Sequence, residues 1–88
     1  MGKLSPINAI VKSLTVGDFY GGVTATIYLD HVIIGKLLRT GTWYEVRLAD
    51  TTIPTPGGGK SIRTALRSVA VTLHLREVAN AKTRADGV

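Results

Sequence analysis

Ile7, Ile10, Val11 and Leu14 fall at i, i+3, i+4 and i+7, the spacing of one helical face. Ser5-Pro6 ahead of them reads as an N-cap followed by proline at the first helical position. Together they predict a short helix over about residues 6–14. The β-branched residues Ile10, Val11, Thr15 and Val16 leave an extended reading of residues 9–16 open. Three glycines and Asp18 between Gly17 and Gly22 then break the pattern.

The period changes to two after Gly22. Val23, Ala25, Ile27 and Leu29 alternate with Thr24, Thr26, Tyr28 and Asp30, which predicts a strand with one apolar face. Asp30-His31 supplies a tight turn. A second strand covers Val32 to Arg39, and Gly35 in its middle signals a bulge or a close backbone approach. Thr40-Gly41 is the next turn. Residues 42–48 alternate again, with Trp43, Glu45 and Arg47 on one face and Tyr44, Val46 and Leu48 on the other. Residues 50–60 hold two prolines and three glycines, so they form a long loop, and that length makes it mobile or functional.

Helical spacing returns at the end. Ile62, Leu66, Val69 and Leu73, with Ala65 and Ala70 beside them, make a stripe that packs on a sheet. Ser61 is placed as the N-cap of a helix running to about Asn80. The expected fold is therefore α+β: one domain over residues 1–88, with a core over about 6–80. A three-stranded antiparallel meander is covered by the long C-terminal helix, and residues 81–88 fray.

Composition restricts the function classes. Eleven Lys and Arg against six Asp and Glu give a net charge of +5. That excess favours nucleic acid first, with duplex DNA foremost, and an acidic protein second. No cysteine is present, which rules out disulfides and thiolate chemistry and suits a reducing cytoplasm (the host cytoplasm for a phage-encoded protein). The first residues lack the apolar run of a signal peptide, and no stretch has the length to span a bilayer, so no membrane role is expected. A chain of this size has modest stability alone, which keeps a homo-oligomer in view.

Pro56-Gly57-Gly58-Gly59-Lys60-Ser61 has part of the phosphate-binding loop pattern, but Pro54 stands where that pattern needs glycine. What survives is a helix start whose free N–H groups, with Lys60 and Arg63, suit an anion. Lys60, Arg63 and Arg67 form a basic face with no acid at helical spacing to neutralise the arginines. On the sheet, Lys36, Arg39 and Arg47 are read as pointing to one side with Trp43, as a nucleic-acid surface. Trp43 is also read as core, the favoured reading for its large apolar area. His31 and His74 have no third ligand, and the six acids are scattered, so neither a metal, a cofactor nor an acid–base pair is expected. The chain is read as non-enzymatic.

Two resemblances follow from these residues. Ile34-Gly35-Lys36-Leu37-Leu38-Arg39, then Gly41-Thr42-Trp43-Tyr44-Glu45-Val46-Arg47, then a helix with Ala65 and Leu73, resemble the sheet-plus-helix DNA-binding domains of phage integrase N-termini and AP2-type regulators. The same glycine-bearing hairpin, Trp strand and Ala-rich helix resemble small uncharacterised proteins of actinobacteria and their phages. The first resemblance implies that the sheet face enters the major groove, carrying Lys36, Arg39, Trp43, Glu45 and Arg47. Gly59-Lys60-Ser61-Ile62-Arg63 with Ala65 and Ala70 also resemble double-stranded-RNA-binding domains. Those have the order helix, three strands, helix. They expect lysines where Ile62 and Leu66 stand here. The expected function is nucleic-acid binding through the helix start and the sheet face. The alternative is a small phage-type protein that binds and modulates a host protein.

Overall fold

The computed structural model describes residues 5–86. Their order is α1 (Pro6–Ser13), β1 (Leu14–Val16), β2 (Thr24–Leu29), β3 (Val32–Thr40), β4 (Trp43–Leu48) and α2 (Ile62–Asp86). The sheet has four strands, not three, in the order β1-β2-β3-β4, all antiparallel. Both readings of the first segment hold in part. The helix stops at Ser13, and the β-branched pair Thr15 and Val16 extends beside Tyr28 and Ile27.

Local chemistry sets each boundary. The Ser5 side chain accepts from the Asn8 N–H at 3.1 Å, with proline in the first turn, and so starts α1. Asp30 and His31 both take positive φ, 50° and 69°, which gives the tight link between β2 and β3. The register of that pair slips between Ile27 and Tyr28, opposite Ile33 and Gly35, so the bulge signalled by Gly35 is present. A Cβ at Gly35 would lie 2.5 Å from the Arg47 carbonyl oxygen, so the close approach is present as well. Ser61 caps α2 by accepting from the Thr64 N–H at 3.1 Å. α2 runs beyond the expected end near Asn80, to Asp86. Gly87 and Val88, like residues 1–4, lie outside the described residues.

Both helices lie on the same side of the sheet and against each other. Leu14, Ile27, Leu37 and Val46, one from each strand, meet Ala65, Val69 and Ala70 of α2 in the buried core. Ile62, Leu66 and Leu73 pack around it, as do Ile7, Ile10 and Val11 of α1. The small side chains at 65 and 70 let α2 approach closely. The opposite face of the sheet has no covering layer among the described residues.

The end of the long loop is tied to the edge of the sheet. Gly59 forms a one-residue antiparallel bridge with Tyr44, donating to its carbonyl at 3.0 Å and accepting from its N–H at 2.7 Å. Pro56, Gly58 and Gly59 are buried. Gly58 has φ +73°, and a Cβ there would strike the Tyr44 carbonyl oxygen. The Ser68 hydroxyl donates to the Gly58 carbonyl at 2.9 Å. The glycines thus let bare backbone lie flat along β4 and lead into α2.

Candidate functional site

Strand alternation sorts the sheet residues by face. Leu37 and Val46 are partners and fully buried on the helix side. Their neighbours Lys36 and Arg47, also partners, therefore point to the bare side. Trp43 and Glu45 share that side with Arg47, and Thr24, Thr26, Tyr28 and Leu38 join them from β2 and β3. Trp43 retains 43% of its surface exposed, so it is not core. Arg39 has the parity of Leu37 and stands opposite Tyr44. It faces the helix side at the sheet's end, and the expected grouping of Arg39 with Lys36, Arg47 and Trp43 is corrected. Three residues along a strand is an odd step, which reverses the face.

The bare face is close to electrically neutral. The Arg47 Nε donates to Glu45 Oε2 at 2.9 Å. Asp18 borders the same hollow as Tyr20, Thr24, Thr26 and Lys36. Two cations are thus set against two carboxylates. Lys36 directly opposite Arg47 would repel in isolation, and the two acids offset that.

The helix side differs. Arg63 and Arg67 lie one turn apart on α2. The Arg67 Nη1 donates to Asn8 Oδ1 of α1 at 3.4 Å, a neutral partner that leaves its charge uncompensated. Lys12 lies one turn beyond Asn8 on α1, and Lys60 precedes the Ser61 cap; both are exposed. Neither helix has an acid in its first turn. The two ion pairs formed among the described residues, Arg47–Glu45 and Arg76–Asp50, engage none of these four cations. The helix start adds its own partial positive charge.

The sequence-named cations therefore divide between opposite sides of the molecule: Lys36 and Arg47 on one, Lys60, Arg63 and Arg67 on the other. Lys12 escaped the sequence reading. Its i+4 spacing from Asn8 was visible, but the contact between Asn8 and Arg67 spans 59 residues and comes only from α1 packing on α2. His31 and His74 do not meet a third ligand, and no group of three metal-ligating side chains occurs among the described residues. No helix among them is long and apolar enough to cross a membrane.

Comparison with protein-family models, curated proteins and solved structures finds no match to this chain. The four-stranded sheet also differs from the three-stranded one that the sequence predicts.

Proposed function

We propose that this protein binds nucleic acid by its helical side, with Lys12, Lys60, Arg63 and Arg67 gripping backbone phosphates and duplex DNA as the favoured form. One observation carries the reading: Arg67 meets Asn8 where α1 packs on α2, Lys12 follows one turn along α1, Lys60 and Arg63 flank the start of α2, and none of the four is paired to a carboxylate among the described residues. Backbone phosphates are the abundant ligand for such a surface, and contacts of this kind fix position rather than base sequence. The sheet face, with its charges balanced by Glu45 and Asp18, is the weaker candidate for phosphate.

A mobility-shift titration against a short DNA duplex across a salt series tests this. Four phosphate contacts give a slope of log affinity on log salt of about −3.6. The triple substitution K60Q/R63Q/R67Q should bring that slope to about −0.9, leaving Lys12. K36Q/R47Q should leave it unchanged. Absence of binding at low salt sinks the proposal, and loss through K36Q/R47Q alone transfers the contact to the sheet.

A further inference from the structure

We infer that the bare face of the sheet is an interface for a second copy of this chain. It combines exposed apolar area with charges that complement themselves. Ile33 is 61% exposed and Trp43 43%. Tyr28 and Leu38 lie between strands on the same face, and the threonines Thr24, Thr26 and Thr40 carry no net charge. Trp, Tyr and Arg are the residue types that dominate protein interfaces.

Charge placement selects the occupant. Asp18 stands at the β1 side of this face, beside Thr26 and Lys36, while Arg47 stands on β4 at the other side. A two-fold axis along the strands, between β2 and β3, lays the β1 side of one copy over the β4 side of the other. Asp18 of each copy then faces Arg47 of its mate, twice over, as an isologous interface requires. A polyanion would find no such balance, since the acids repel it. Four strands at about 4.8 Å and six residues at about 3.4 Å give a face of about 19 by 20 Å. With side-chain relief, that approaches the roughly 600 Å² per partner at which stable pairs begin. The pairing is face to face, two sheets about 10 Å apart in a sandwich, and it leaves both helical sides outermost.

Sedimentation equilibrium of the full chain, over a micromolar-to-millimolar series, reads the pairing directly. The mass should rise from the 9.4 kDa of one chain toward twice that value. Trp43 is the single tryptophan, so its emission should shift to shorter wavelength in step with the mass. Ile33→Glu, at an exposed position, should raise the dimer dissociation constant at least about 30-fold, with the circular dichroism unchanged. D18R and R47D should each weaken the dimer, and the double variant D18R/R47D should recover it. L75E, on the solvent side of α2, should have no effect on mass. A chain that stays monomeric throughout overturns the inference. A dimer that ignores I33E, or forms while Trp43 emission stays fixed, overturns it as well.

Discussion

Gly58 lies where an L side chain meets two obstacles at once. Its φ of +73° is left-handed, and the Tyr44 carbonyl occupies the space of a Cβ. Gly58→Ala should cost about 2–4 kcal/mol, from backbone strain and from the forced shift of β4. For a domain of this size that lowers the melting temperature by more than about 10 °C, readable by calorimetry. Gly57, one residue earlier, is exposed and has open space around it, and G57A serves as the control. Gly35 was legible as a bulge because glycine inside a strand pattern has few other uses. Gly58 was not, because three successive glycines read alike until the chain facing them is known. The same limit applies to Trp43. Alternation assigned it to a face with Glu45 and Arg47, but only the location of the helices decides which face is covered.

At the scale of elements, the segment after β4 is held at both ends. Gly59 binds Tyr44 at one end. At the other, Arg76 of α2 donates to Asp50 at 3.0 Å and to the Thr52 hydroxyl at 2.9 Å. Thr52 closes the loop on Asp50 with its hydroxyl and its N–H. These hydrogen bonds, the Thr52 hydroxyl first, with Arg76 adding its charge, hold the Asp50 carboxyl below the ordinary value of 3.8. A depressed folded-state value means the ionised form is favoured by folding. The contribution is therefore complete above 3.8 and fades as pH falls through the lower folded value. Asp50→Asn should melt earlier than the parent at neutral pH, with the gap narrowing under strong acid; a gap independent of pH contradicts the assignment. None of this was legible beforehand, since Asp50 and Arg76 lie 26 residues apart. β1 was legible only as an open alternative, for a different reason. Three residues are too few for alternation to register, and Leu14 also completes the helical spacing of α1.

Across the whole molecule, the basic residues described divide by layer, with Lys36 and Arg47 on the bare sheet face and Lys12, Arg63 and Arg67 on the helical side. The helix-over-sheet arrangement was legible because the periods of 3.6 and 2 each ran long enough to show. The division of the basic residues was not, because it depends on which side each strand position turns and on where α1 settles. Lys60, Arg63 and Arg67 gain Lys12 from a helix nearly fifty residues away in sequence, while Arg39 leaves the group to which sequence assigned it.

α2 is also longer than its support. Its 25 residues extend about 37 Å, yet among the side chains described the last buried one is Ala70 and the last in contact with the core is Leu73. Beyond that point Arg76 is the last anchored side chain described, and Leu75 and Val78 are exposed. Amide hydrogens of one continuous helix should therefore exchange with solvent deuterium at different rates. Those before Leu73 should open only with the domain as a whole. Those after Arg76 should open by local unwinding, orders of magnitude sooner. Mass spectrometry of overlapping α2 peptides would resolve the two populations, and a uniform rate along the helix would mean that something else supports its far end.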